Sequence, residues 1–248
     1  MARNKVLIVT TSHAQMGSTG HKTGVWLEEL ATPYYALRDG GASVTLASIR
    51  GGQIPFDPRS VPAEAGQSAG EVPREQQDVP ESVRRFLADE TAMRAARNSI
   101  PVAQIEGKDF DAIFLPGGHG TMWDLPDSEA LARLVSENFE RGKIVAAVCH
   151  GPAGLVSAKR RDGRPLVEGY KVNAFTNSEE EAVGLKEIVP FLLEDRLKEL
   201  GGRFEKGENW QPYGVRDGDL ITGQNPQSAS LVARYVLDAL AERAIQPA

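Results

Sequence analysis

The chain carries one cysteine, Cys149, and four histidines, His13, His21, His119 and His150. Cys149 ends the apolar run Ile144-Val145-Ala146-Ala147-Val148 and is followed by His150-Gly151-Pro152. That is the pattern of a nucleophile elbow, where a side chain is raised on a sharp strand-to-helix turn. Such a turn is crowded, and small residues, Ala147 and Gly151, flank the thiol two positions away on either side. Pro152 suits the first turn of a helix. A helix starting there would aim free N–H groups and its positive end at the sulfur, which predicts a thiolate. A thiolate beside a base attacks carbonyl carbon, so acyl or aldehyde chemistry is expected. A free cysteine is more often a small buried hydrophobe; its place at the end of a strand, not inside one, favours the nucleophile.

Carbonyl chemistry also needs donors aimed at a developing oxyanion. The His150 backbone N–H is one candidate, and Gly118, in the turn Pro116-Gly117-Gly118-His119-Gly120, is the other. His150, next to the thiol, is the expected base. No histidine follows it, which argues against glutamine-hydrolysing amidotransferase activity, whose base lies well after the cysteine. Glu179, Glu180 and Glu181, behind a plausible Ser178 cap, offer a carboxylate to orient the imidazole. Acids at a helix start are also explained by the helix dipole, and spacing does not choose among the three. Glu28 and Glu29 stand among Trp26, Leu27 and Leu30. One facing inward would have a raised pKa and could shuttle a proton.

These residues must be positioned by the elements around them. Short β-branched runs alternate with amphipathic stretches, the pattern of βα units and a mostly parallel sheet with helices on both faces. Strands are expected at 5–10, 42–48, 111–115, 143–148, 170–175, 203–206, 213–216 and 219–222. Helices are expected at 25–38, 81–97, 128–141, 179–186 and 191–200, in the segment after Cys149, and in a final stretch ending near Arg243. Residues 51–80 are rich in Pro, Gly, Gln and Glu and longer than an ordinary connection, so they read as a lid or a surface excursion. No boundary or repeat interrupts the rest, and a single domain over 1–248 is expected. The formal charge of −6 and the lack of a Lys/Arg run leave no footprint for nucleic acid or an anionic membrane. No apolar stretch is long enough to span a bilayer. One cysteine excludes an internal disulfide and fits a reducing, cytoplasmic setting.

The elbow 147–152, the turn 116–120, Thr23-Gly24-Val25-Trp26-Leu27-Glu28-Glu29 and Thr222-Gly223-Gln224-Asn225-Pro226 together resemble the PfpI-like (parkinsonism-associated deglycase) superfamily. This superfamily has a class I glutamine amidotransferase-like fold. The closer likeness is to its glutathione-independent glyoxalase (glyoxalase III) and chaperone branch, over nearly the whole chain. The resemblance implies a flavodoxin-like sandwich, a homodimer, and Cys149 as nucleophile with His150 after it. It further implies Glu29 as the acid contacting the cysteine and Glu180 as the acid completing a triad. No cofactor is implied. No complete counterpart of the metal site of some relatives is found, nor a HExxH spacing, so no metal is expected. The expected reaction is conversion of methylglyoxal and related 2-oxoaldehydes, small carbonyl substrates, to 2-hydroxy acids. A holding chaperone, a protein deglycase and a cysteine peptidase are the alternatives.

Overall fold

The structure is a computed structural model and describes residues 3–62, 79–105 and 109–245. The strands are Lys5–Thr10 (β1), Ser43–Ser48 (β2), Ile100–Pro101 (β3), Ala112–Leu115 (β4), Ile144–Val148 (β5), Lys171–Val172 (β6), Arg203–Phe204 (β7), Gly214–Asp217 (β8) and Leu220–Gly223 (β9). Seven of them form one sheet in the order β3-β2-β1-β4-β5-β9-β8, parallel throughout except for β8, which runs antiparallel to β9 at the edge. The central strands β4, β5 and β9 are buried at every residue, as strands covered on both faces must be. Parallel pairing brings their carboxyl ends to one edge. Leu115 pairs with Ala147 and Val148 with Gly223, so the glycine turn, the elbow and the Thr222–Pro226 segment emerge side by side. Ligands bind at this edge in open α/β sheets.

The helices are Leu27–Asp39 (α1), Glu81–Ala88 (α2), Glu90–Arg97 (α3), Thr121–Asp124 (α4), Glu129–Glu140 (α5), Asn177–Ala182 (α6), Leu193–Glu199 (α7) and Ala229–Ile245 (α8). Successive strand residues face opposite sides. Ile8, Phe114 and Ala146 pack with Leu30, Tyr34, Phe86 and Val236 from α1, α2 and α8. Leu7, Ile113 and Val145 pack with Leu131, Val135 and Leu197 from α5 and α7 on the other face. Among the described residues, no helix is long and apolar enough to cross a membrane.

Local chemistry redraws three of the expected elements. The helix expected over 81–97 is two helices, because the Asp89 side chain accepts from the Thr91 and Ala92 N–H groups (2.9 and 3.1 Å) and caps a fresh start. Of 170–175 only β6 is strand, and it pairs with β7 outside the main sheet. The rest of that segment runs past the elbow, with the Phe175 N–H donating to the Cys149 carbonyl (2.9 Å). The segment after Cys149 is a five-residue 3₁₀ helix, Gly151–Leu155, and not an α-helix. Gly151 lies so close to the end of β4 that a Cβ there would sit 2.0 Å from the Leu115 carbonyl oxygen.

Of the 51–80 region, the first part is tied to the start of α1. Val25 N–H donates to the Pro55 carbonyl (2.8 Å), Asp57 N–H to the Val25 carbonyl (2.9 Å) and Leu27 N–H to Ser60 Oγ (3.0 Å). Residues 63–78, which make up most of the expected lid or excursion, lie outside the described residues.

Candidate active site

Cys149 follows β5 with φ of 59°, and among the described residues only Trp210 (φ 64°) is another non-glycine with a left-handed backbone. This conformation costs an L-residue roughly 1–2 kcal/mol. Two backbone bonds hold it: the Cys149 N–H to the Gly223 carbonyl (2.9 Å), and the bond from Phe175. The thiol is buried, at 3% exposure. Its Sγ lies 3.3 Å from His150 Nδ1, and His150 Nε2 lies 2.7 Å from Glu180 Oε2. The structure thus brings together Cys149, His150 and Glu180.

It also separates the three consecutive glutamates. Glu181 is exposed and pairs with Lys186. Glu179 is buried, with Oε1 accepting from Trp210 N–H, Gln224 Nε2 and Asn225 Nδ2. Its Oε2 accepts from the Thr176 N–H and hydroxyl, closing a capping box at the start of α6. The cap is Thr176 and not Ser178. Glu180 alone turns toward the elbow.

Glu29, in the first turn of α1, is the inward member of its pair and is fully buried. Its Oε2 accepts the Gly117 N–H (2.8 Å), while Oε1 is buried with no N–H or O–H donor upon it. Burial pushes this carboxyl well above the usual range, and hydrogen bonds from Gly117 and Cys149 only partly oppose it. The Cys149 thiol is likewise pushed up, first by burial and then by the Glu29 charge; the His150 N–H works weakly the other way. Burial and the neighbouring acid thus work against the thiolate that a helix start behind the sulfur predicts. The 3₁₀ helix behind Cys149 is short, and Glu29 beside the thiol is an acid rather than a base.

Glu180 shows the opposite balance. Burial would raise its carboxyl, yet His150 and His119 more than offset this and hold it well below the usual carboxylate range. His119 was not among the residues expected to act through a side chain. Its Nε2 lies 2.8 Å from Glu180 Oε1 and its ring 4.1 Å from that of His150. Burial first, then the neighbouring His150, lowers His119 to about 4. The available signal was a histidine inside a strand-ending glycine turn. Gly118 beside it has φ of 101°, and a Cβ there would meet the Gly24 carbonyl oxygen and Trp26 nitrogen at 2.4 Å. That contact threads the glycine turn against the approach to α1. One ring nitrogen each of His119 and His150 and a Glu180 oxygen lie within 4.8 Å of one another, close enough to share a metal ion, a grouping that reading the sequence in linear order had not assembled. Phe175 covers His150 with ring centroids 4.5 Å apart, and Trp210 packs edge-on to Phe175 at 5.7 Å.

A strained cysteine at the end of a parallel strand, with an imidazole, a buried acid and a glycine turn around it, defines a nucleophile-elbow site on a flavodoxin-like α/β fold. Residues 22–239 match the DJ-1/PfpI family, and the chain belongs to it. Within the family it lies with the glyoxalase III branch. It is 32% identical to the glutathione-independent glyoxalase HSP31 of Saccharomyces cerevisiae, covering 97% of this chain and 99% of that protein. The crystal structure of glyoxalase III from Candida albicans superposes with a TM-score of 0.83 at 29% identity, over 95% of this chain and 97% of that one. The rapid encystment protein of Francisella tularensis superposes with a TM-score of 0.86 at 38% identity, over 96% and 99%.

Proposed function

We propose that this protein converts methylglyoxal and related 2-oxoaldehydes to 2-hydroxy acids without glutathione. The observation that carries the reading is the buried Glu29 carboxyl beside Cys149, with one oxygen held by Gly117 and the other without an N–H or O–H donor. A carboxyl kept neutral by burial can give a proton to an oxygen and then, once ionised, remove one from carbon.

The steps balance as follows. Cys149 Sγ bonds to the aldehyde carbon while His150 Nδ1 takes the thiol proton and Glu29 protonates the aldehyde oxygen, giving a hemithioacetal. Glu29 carboxylate removes the C1 hydrogen as His150 imidazolium protonates the ketone oxygen, giving an enediol. Glu29 then delivers its proton to C2 while His150 takes the C1 hydroxyl proton, leaving a thioester of the 2-hydroxy acid. Water adds to the thioester as Glu29 takes its proton, and the departing sulfur is protonated by His150. The Gly118 and His150 N–H groups serve as donors for the oxyanions. Glu180 holds His150 in place. The protein acts as a cytoplasmic homodimer with one domain over 1–248, and it needs no metal or cofactor. Among the described residues the exposed large hydrophobics are Val183 and Trp210, a small surface for a holding chaperone.

Consumption of methylglyoxal with lactate detection in glutathione-free buffer tests the reading. Turnover by wild type, lost about 10³-fold or more in Cys149→Ala and in Glu29→Gln, is expected. Full turnover in Cys149→Ala, or none in folded wild type, overturns it.

A further inference from the structure

We propose that His119 is a positioning residue: held as the Nε2–H tautomer by Arg59, it donates to Glu180 Oε1 and so fixes the carboxylate that orients His150. A neutral imidazole carries one N–H, and the partner of one nitrogen decides which nitrogen is protonated. Arg59 Nη2 lies 3.4 Å from His119 Nδ1. A guanidinium only donates, so Nδ1 presents its lone pair and the proton sits on Nε2, facing Glu180 at 2.8 Å.

Arg59 is itself fixed. Asp57, fully buried, takes its Nε and Nη2 at 3.0 and 2.9 Å, and Thr23 Oγ1 donates to Asp57 Oδ2 at 2.9 Å. The charged and titratable groups facing His119 are Glu180 from α6, His150 from the elbow and Arg59 from the turn 58–60. A chain of contacts thus runs from Thr23 through Asp57, Arg59, His119 and Glu180 to His150 and Cys149. With Oε1 occupied, the carboxylate cannot rotate, and Oε2 receives the His150 Nε2 proton. That leaves His150 Nδ1 as the acceptor facing Sγ, the state in which it can take the thiol proton.

Two measurements test this, and only the second rests on the proposed reaction. Long-range ¹H–¹⁵N spectra of histidine-labelled full-length protein resolve the four imidazoles, with His119 assigned by its loss in His119→Gln. The expected result at pH 8 is an Nε2–H His119, with Nδ1–H signal growing in Arg59→Met. In the kinetic arm, His119→Gln supplies an amide N–H in place of the imidazole one and keeps kcat within about threefold. His119→Phe lowers kcat about 10- to 100-fold at nearly unchanged KM, with thermal unfolding confirming that it folds. An Nδ1–H or imidazolium His119 in wild type overturns the proposal, as does equal turnover in the Phe and Gln variants. Wild type without methylglyoxal turnover would remove the glyoxalase reading and leave the tautomer to be decided by the spectra.

Discussion

The two flanks of the cysteine treat buried acid in opposite ways. On the α1 flank, Glu29 has one backbone donor and the weakly donating Cys149 thiol, and burial wins: its carboxyl is pushed up. On the α6 flank, Glu179 receives five donors and Glu180 two imidazoles, and partners win: Glu180 is held ionised. Depth is nearly the same, since Glu29 and Glu179 are both fully buried and Glu180 is 4% exposed. What differs is the supply of hydrogen-bond donors, and that supply separates an acid able to move protons from acids that hold other groups still.

Emptying the well-supplied flank should have the largest effect. Glu179→Ala leaves the Trp210 N–H and the Gln224 and Asn225 amides without their buried acceptor, and a loss of roughly 3–5 kcal/mol in urea unfolding is expected. A loss under about 1 kcal/mol would mean that water replaces the carboxylate and that the contrast between the flanks is overstated. Glu180→Gln keeps the shape but removes the charge. A fall in kcat of about 10²-fold at nearly unchanged KM is expected, and an unchanged kcat would show that His150 needs no ionised partner.

The smallest effect runs the other way. A carboxyl whose folded pKa is raised binds a proton that the unfolded chain releases above about 4.5, so Glu29 costs stability as pH rises from there toward its folded value. Glu29→Gln removes that cost. Its Tm is expected to exceed that of wild type by about 3 °C at pH 8, corresponding to roughly 1 kcal/mol for a chain of this size, with the gap closing near pH 4. Glu180 tilts the curve oppositely: its depressed pKa contributes stability above the ordinary carboxylate range and loses it as pH falls toward the folded value. A Glu29→Gln advantage that does not change with pH would refute the assignment of the raised group.

The elbow could be read from sequence because its signal is local: six residues, 147–152, contain the strand end, the thiol and the crowding that demands small neighbours. Parallel βα order was equally plain from alternating runs. Glu29 and Glu180 were singled out by likeness to the family, whereas spacing alone left Glu180 level with Glu179 and Glu181. Which of the three faces the site depends on where α6 sits against the elbow, and that is set by Thr176 and by Gln224 and Asn225, some 45 residues away. The upward push on the thiol was missed for a related reason. Helix-dipole reasoning is local, but the burial and the acid Glu29 that raise Cys149 come from packing across 120 residues of chain. His119 joins Glu180 over a separation of 61 residues, beyond any spacing rule.

The left-handed backbone at Cys149 also bears on how this fold can drift. Glycine there would relieve a conformational penalty of roughly 1–2 kcal/mol, so pressure for a sturdier protein and pressure for a working thiol pull the position in different directions. In a lineage released from the need for this chemistry, 149 is among the first places where a replacement costs the fold little. A descendant with glycine at the elbow and the surrounding architecture intact would be recognisable as one that kept the scaffold and gave up the reaction.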